Sequence, residues 1–173
     1  VDKLHPYLKE LWKHSVRVAA YSYVIADRQT GINPDEAMLA GMLHDIGKFY
    51  ILNKTGKYPE LFNQPETLDM IMQDWHTAVG RSILDAWKFS EDIAVAADEH
   101  ESLERMHVGA ADLTDVVMVA NLFAHQQQPD QMPDIDWEDI PAIKQLKLTA
   151  ETACEIIKES RQEMQSIIQA LQN

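Results

Sequence analysis

Apolar residues recur at three- and four-residue intervals along most of the chain, which predicts a protein built almost entirely from helices. The first amphipathic helix is predicted over about 6–28. Asn33, followed by Pro34 and two acidic residues, is typical of a helix start, and this second helix is expected to end near Gly47. The apolar stripe of the first helix comprises Leu8, Leu11, Trp12, Val16, Ala19, Ala20 and Tyr23.

The middle of the chain predicts a loop and then two more helices. Residues 49–64 contain Gly56 and Pro59 and predict a loop with one short turn. A third helix is predicted from about 66 to 87, and a fourth, capped by Ser90, is predicted to extend to about 103. The positions expected to point inward on the third helix are Leu68, Ile71, Met72, Trp75, Val79, Ile83 and Leu84.

The last third of the chain continues in the same helical pattern after a polar interruption. A fifth helix is predicted over roughly 113–126, and residues 126–136, which are polar and hold two prolines, predict a loop or linker. A short helix should begin near 138 with Pro141 in its first turn, and Thr149 can cap the last helix. Because β-branched alternation is nowhere sustained, the predicted fold is all-α, an irregular helical bundle.

The last helix has one apolar stripe with two interpretations. It packs on the bundle as core, or it pairs with a second copy of the chain in a homodimer. Its outer face is rich in glutamine, whereas a helix lying on a membrane carries lysine and arginine there. The stripe comprises Ala153, Ile157, Met164, Ile168 and Leu171.

Composition narrows the class of protein. The chain has 173 residues, 46% of them apolar, which suffices for the core of one domain. Its single cysteine, Cys154, excludes a disulfide framework and a cysteine-rich zinc site. The net charge of −13 opposes nonspecific binding to nucleic acid or to an anionic membrane, but it does not oppose binding a cation. With no apolar run of membrane-spanning length and no signal-peptide pattern, a cytoplasmic location is expected.

Histidines are the residues that point to chemistry. His14, His44, His76 and His100 fall on four different predicted helices, and Asp45 directly follows His44. A bundle builds a metal site in its core in this way, and imidazole with carboxylate suits iron, manganese, zinc or nickel. A lone helical histidine is more often an ordinary core or surface residue, so no single position is diagnostic. The remaining histidines, His5, His107 and His125, lie near loops or helix ends and are expected to be ordinary.

The chain resembles the HD superfamily of metal-dependent phosphohydrolases, and within it the HDOD branch of bacterial signalling domains. The segment Met42-Leu-His-Asp-Ile-Gly-Lys48 is similar to the superfamily signature almost letter for letter. The similarity covers about 8–125, with the HDOD assignment resting on more diffuse matches. These matches are residues 11–19, 36–44, 76–80 and 116–122.

The resemblance implies a role for each matching residue. His14, His44 and Asp45 would bind a first divalent ion, and Asp45 would bridge to a second ion held by His76 and His100. The site is expected to bind one or two divalent ions, and the metal is expected to be iron, manganese, zinc, nickel or magnesium. Such a pair can activate water and clamp a phosphoryl oxygen, and the bridging ligand must be a carboxylate because it supplies charge to both ions.

Two further positions bear on catalysis. Catalytic relatives have an aspartate where this chain has Asn121, whose neutral amide lowers the expected affinity for the first ion. Lys48 matches a lysine that faces the substrate phosphate; its alternative role is a charge at the C-terminus of the second helix. Glu99 and Glu101 are either acceptors for imidazole N–H groups or part of a solvated acidic face. Asp45 and Lys48 are therefore the catalytic candidates.

Departures from related families limit the substrate and the domain plan. HD-GYP phosphodiesterases carry a Gly-Tyr-Pro segment that this chain lacks, so cyclic di-GMP is not assigned. Full HDOD domains have a preceding helical half, and the start at Val1 favours a fragment or a processed chain. Residues 1–126 are predicted to form the metal-binding domain, with 127–173 a linker and C-terminal helices packed on it.

Two functions remain open from the sequence. One is a phosphohydrolase acting on a phosphomonoester or a nucleotide. The other is a catalytically inactive regulatory module that binds a signalling protein. A purely structural bundle is disfavoured by five coincident ligand positions.

Overall fold

The computed structural model describes residues 2–125 and 136–173, and these residues form helices and connecting turns with no strand. The all-α bundle predicted from the sequence is confirmed. The predicted loop at 126–136 lies almost wholly outside the described residues. In chain order the helices are α1 (Leu4–Gln29), α2 (Pro34–Leu43), α3 (Ile46–Thr55), α4 (Pro65–Ala86), α5 (Glu91–Glu99), α6 (Leu113–Ala124), α7 (Pro141–Gln145), α8 (Ala150–Glu159) and α9 (Arg161–Gln172), with 3-10 turns at Pro59–Asn63 and Trp137–Asp139.

Helix α1 is the central element, because α2, α6 and α9 all pack against it. Its middle is buried completely at Val16, Ala19 and Ala20, which the apolar stripe predicted. Next to α6, the Tyr21 ring lies 5.8 Å from that of Phe123. No helix among the described residues is long and apolar enough to cross a membrane.

Three side-chain caps predicted from the sequence are confirmed. Asn33 accepts from the backbone N–H of Asp35 and Glu36 at the start of α2, and Ser90 accepts from Ile93 at the start of α5. Thr149 forms a reciprocal capping box with Thr152 at the start of α8. Each cap satisfies a backbone N–H group that has no partner inside its helix, and thereby fixes where the helix begins.

The second helix does not end near Gly47, and residues 49–64 are not mainly loop. Helix α2 ends at Leu43, His44-Asp45 turn the chain, and α3 begins at Ile46 and runs through Gly47 to Thr55. Gly47 is a packing residue, since a Cβ there would overlap the carbonyl oxygen of His76 on α4. The glycine thus allows two backbones to approach closely and terminates nothing.

Three further expectations are wrong in detail. Helix α5 ends at Glu99 and not near 103, because residues 100–103 form turns. Trp75 points outward with 61% of its surface exposed. The last helix is interrupted at Ser160, so α8 and α9 are separate helices that both pack against α1. They contribute Ala153, Ile157 and Met164 to the core.

Candidate metal centre

The residues predicted as ligands come together at the middle of the bundle. His44 and Asp45 form the turn between α2 and α3, His76 lies in the middle of α4, and His100 is the C-cap of α5. All four side chains are essentially completely buried, with at most 1% of their surface exposed. His14 projects from α1 into the same place and is slightly exposed. Burial of so many polar groups needs a compensating partner.

Close packing of two helices brings His76 to Asp45. Gly47 on α3 and Gly80 on α4 face each other, and a Cβ at Gly47 would lie 2.8 Å from the backbone nitrogen of Gly80. His76 lies one turn before Gly80, directly over the turn that carries Asp45. The glycine pair therefore sets the distance between ligands from different helices.

Asp45 lies between two pairs of imidazoles. Its Oδ2 lies 3.3 Å from His44 Nε2 and 3.8 Å from His14 Nε2. Its Oδ1 lies 3.5 Å from His76 Nε2 and 3.4 Å from His100 Nε2. Ligand atoms that share a divalent ion at about 2.0–2.2 Å lie roughly 3–3.6 Å apart. We call the His14 and His44 side the first compartment and the His76 and His100 side the second compartment.

Hydrogen bonds to the backbone determine which imidazole nitrogen faces the carboxylate. The Nδ1 atoms of His44, His76 and His100 lie 2.6, 2.7 and 2.9 Å from the carbonyl oxygens of Gly41, Met72 and Ala97. A carbonyl only accepts, so each Nδ1 carries a proton, and in the neutral imidazole each Nε2 presents a lone pair to Asp45.

The inward-facing atoms have no hydrogen-bond partner. His44 Nε2, His76 Nε2, His100 Nε2 and Asp45 Oδ1 are all buried and unsatisfied. Lone pairs of neutral imidazoles facing a carboxylate repel one another unless a cation lies between them, and buried unsatisfied polar groups are rare. The donor set therefore fits one or two divalent ions.

The first compartment differs from the second in its neighbours. His14 Nε2 donates to Asn121 Oδ1 at 2.9 Å, so this nitrogen is already engaged. Lys48 Nζ donates to Asp45 Oδ2 at 3.0 Å, on the oxygen that faces His14 and His44. Lys48 lies in the first turn of α3, so the alternative that it is a charge at a helix C-terminus is wrong.

The pKa shifts favour an ionised Asp45 and neutral imidazoles at His14 and His100. Burial alone would raise the pKa of Asp45, but His44, His100 and Lys48 outweigh it and hold that pKa well below its usual range. Burial, reinforced by the neighbouring His44, lowers the pKa of His14 to about 3, and burial also lowers the pKa of His100. These are the protonation states that ligands must adopt to bind a metal ion.

Two further residues lie near the centre: Glu101, whose role the sequence left open, and His125, which was expected to be ordinary. Glu101 Oε1 lies 3.4 Å from His76 Nε2, so Glu101 faces the centre, whereas Glu99 pairs with Arg105. The ring of His125 lies 4.6 Å from that of His14, so His125 is not the ordinary histidine that was expected. Its spacing of four residues from Asn121, one helical turn, was the signal available in the sequence.

The other two histidines lie away from the centre. His5 is exposed near the start of α1. His107 contacts Asp115 at 2.6 Å in a separate cluster with Asp112. Arg105 already contributes a cation to that cluster, because its guanidinium contacts Asp112 at 2.6 Å and Asp115 at 3.4 Å. That cluster is an ion-pair network at the start of α6.

A family model and a curated relative match the region that holds the centre. The model of the HDOD domain matches residues 2–103, which include every candidate ligand named above except Asn121. A ribonuclease Y of Symbiobacterium thermophilum is 30% identical over 112 residues. That match covers 61% of this chain but only 18% of the ribonuclease.

Solved structures share the fold at low identity. An HDOD domain protein of unknown function from Geobacter sulfurreducens has a TM-score of 0.67 at 20% identity, covering 93% of this chain and 62% of the other. A proposed metal-dependent phosphohydrolase from Shewanella amazonensis SB2B has a TM-score of 0.64 at 21% identity, covering 92% and 61%. A second proposed phosphohydrolase from that organism has a TM-score of 0.63 at 16% identity, covering 94% and 63%. This chain thus spans less than two thirds of each relative.

Proposed function

The chain belongs to the HDOD domain family, and from that premise we propose that it is an HD-type signalling domain that hydrolyses a phosphoester with bound divalent metal. The substrate class we propose is a phosphomonoester or a nucleotide. We further propose that the protein acts in the cytoplasm.

One observation carries this proposal. The carboxylate of Asp45 presents one oxygen to each pair of imidazoles, and three of the four Nε2 atoms around it are buried without a partner. A structural histidine needs no such arrangement, because it can satisfy both nitrogens. A bridging carboxylate between two imidazole pairs is the ligand set for two neighbouring cations.

The residues divide the chemistry between binding and charge stabilisation. Divalent cations held by this set would supply Lewis-acid activation of water and polarisation of a phosphoryl oxygen. His44 and Asp45, with His14 and Asn121, would hold one ion, and the second compartment would hold the other. Lys48, whose side chain is 19% exposed, contacts Asp45, and its ammonium would stabilise charge on a bound phosphate.

The relatives support a phosphoester as the substrate. Two of the similar solved structures are of proteins proposed as phosphohydrolases, one of them metal-dependent, and the curated relative is a ribonuclease. Hydrolysis of a phosphoester bond is common to all of these activities. The net charge of −13 argues against a long nucleic acid as the substrate of this chain.

A second candidate function is a catalytically inactive regulatory module that binds a signalling protein. Asn121 favours it, because a neutral amide that accepts a hydrogen bond from His14 is a weaker ligand than a carboxylate. In that case the second compartment would hold a structural ion.

Hydrolysis assays on the reconstituted protein separate the two functions. Stripped protein would be loaded anaerobically with Mn²⁺ or Fe²⁺ and assayed on p-nitrophenyl phosphate, bis-p-nitrophenyl phosphate and a panel of nucleotides. We expect metal-dependent turnover that Asp45→Asn abolishes and Lys48→Ala lowers at least tenfold. Lys57→Ala, at an exposed lysine just after α3, is the control and should retain full activity.

The other outcomes are equally informative. Metal binding without turnover on any substrate would overturn the hydrolase and support the regulatory module. Equal losses in the Lys48 and Lys57 variants would overturn the role of Lys48.

A further inference from the structure

We propose that Glu101 is a direct ligand of the ion in the second compartment, and that this carboxylate makes the second compartment the tighter of the two metal sites. The inference rests on the metal centre of the proposed function. It adds a residue that neither the signature motif nor the bridging geometry of Asp45 identifies.

The position of Glu101 parallels that of Asp45. Glu101 Oε1 lies 3.4 Å from His76 Nε2 and 3.9 Å from His100 Nε2. Asp45 Oδ1 lies 3.5 and 3.4 Å from the same two nitrogens. The two imidazoles therefore face an anionic oxygen from each of two elements, the α2–α3 turn and the turn after α5.

The Nε2 atoms of these imidazoles form no hydrogen bond with Glu101. His76 and His100 donate their Nδ1 protons to backbone carbonyls, so in the neutral imidazoles the Nε2 atoms bring lone pairs to the Glu101 carboxylate. Both nitrogens are buried without a partner. A shared cation turns this repulsive set into a favourable one.

The remaining oxygen of Glu101 is fixed by a neighbour. Gln73, one turn before His76 on α4, donates from Nε2 to Glu101 Oε2 at 2.7 Å. That bond leaves Oε1 directed at the imidazoles. Carboxylates that ligate metals are commonly oriented by a hydrogen bond to the oxygen that does not ligate.

The two compartments differ in the charged groups that they offer to a cation. The second compartment offers two carboxylates, Asp45 and Glu101, which together balance a divalent ion. The first compartment offers only the shared Asp45, the neutral Asn121, and the ammonium of Lys48 on the same Asp45 oxygen. A cation therefore meets net attraction in the second compartment and a competing positive charge in the first.

Metal titration of matched variants tests the proposal. Chelator-stripped protein would be titrated with Mn²⁺ in a calorimeter and with Co²⁺ while its visible absorption is recorded. Glu101→Gln removes the charge but keeps the shape, and Glu104→Gln makes the same change at an exposed carboxylate three residues away. Circular dichroism would verify that both variants fold.

The expected result is a loss confined to one variant and one site. Glu101→Gln should weaken the tighter equivalent at least tenfold and change the Co²⁺ spectrum, whereas Glu104→Gln should leave both unchanged. Identical affinities and spectra in the two variants would overturn Glu101 as a ligand while leaving the proposed metal centre standing. A wild-type protein that binds neither ion would overturn both.

A second variant tests which compartment is tighter. His14→Ala should leave the tighter equivalent within about twofold of the wild type, and His76→Ala should remove it. Loss of the tighter equivalent in His14→Ala would contradict the order proposed for the two compartments.

Discussion

Replacing Gly47 with alanine should separate α3 from α4 and disrupt the metal centre without changing any ligand. A Cβ at this position would overlap the carbonyl oxygen of His76 and lie 2.8 Å from the nitrogen of Gly80. Ordinary contact begins near 3.4 Å, so the contact with Gly80 alone requires about 0.6 Å of movement, the difference between 3.4 and 2.8 Å, and the overlap with the His76 oxygen requires more. Both obstacles are backbone atoms, which no side-chain rotation can clear.

Two effects of opposite sign determine how much the Gly47→Ala variant loses in free energy of unfolding. Alanine in a helix is favoured over glycine by up to about 1 kcal/mol, whereas overpacking a well-filled interface costs about 1–3 kcal/mol. We expect the clash to win by about 1–2 kcal/mol, which corresponds to a thermal midpoint lowered by roughly 2–8 °C for a chain of this size. The same separation displaces His76 from Asp45 by more than the roughly 0.5 Å that a functional site tolerates.

Thermal unfolding and metal titration of the variant measure both consequences. Gly31→Ala is the matched control, because a Cβ there meets nothing within 4 Å. We expect Gly31→Ala to leave the midpoint unchanged or slightly raised, and Gly47→Ala to lower it and to weaken metal binding in the second compartment. A Gly47→Ala variant with wild-type stability and metal affinity would refute the role assigned to this helix contact.

Three further outcomes are expected. Asn121→Asp should tighten the weaker metal equivalent about tenfold in calorimetry, because it adds a charged ligand; an unchanged affinity would contradict the place of this residue in the first compartment. In the metal-free protein, burial lowers the pKa of His14 from 6.5 to about 3. Below about pH 6.5 the unfolded chain therefore binds more protons than the folded chain, and acid destabilises the fold. The thermal midpoint of the metal-free protein should then fall as the pH is lowered from about 7.5 to about 5, although His107, whose pKa is raised, contributes in the opposite direction. His14→Gln should make the midpoint depend less on pH. A midpoint that rises as the pH is lowered would contradict this expectation. Arg105→Ala should cost roughly 2 kcal/mol in urea unfolding, because it removes the guanidinium that contacts the buried carboxylate of Asp115, whereas Arg81→Ala, whose partners are exposed carboxylates, should change the midpoint little; equal effects would contradict the burial argument.

Local signals allowed much of the fold to be predicted. Periodicity identified the long helices, and the caps at Asn33, Ser90 and Thr149 were recognisable because each acts within three residues of itself. The error at Gly47 arose because a glycine that ends a helix and one that admits a neighbouring backbone look alike in sequence. Trp75 was wrongly predicted to point inward. Periodicity identifies the apolar face of a helix, but it does not show how much of that face is covered by other helices.

Some residues of the candidate site were likewise recognisable in the sequence, and others were not. His44 and Asp45 are recognisable from the motif that contains them, and His14, His76 and His100 from their spread over separate helices. Glu101 could not be distinguished from Glu99 in sequence, because its approach to His76 depends on how α5 ends against α4. His125 was missed because its contact with His14 joins the end of α6 to α1.

Elemental analysis of bound metal decides whether the buried histidines form a metal centre. The protein would be purified without chelator and without a metal-affinity column, beside a variant carrying His44→Ala and Asp45→Ala and a control carrying His5→Ala at an exposed histidine. We expect about one to two equivalents of iron, manganese, zinc or nickel in the wild type and the control, and almost none in the double variant. Absence of metal from the wild type, even after anaerobic reconstitution with iron and manganese, would contradict the metal centre.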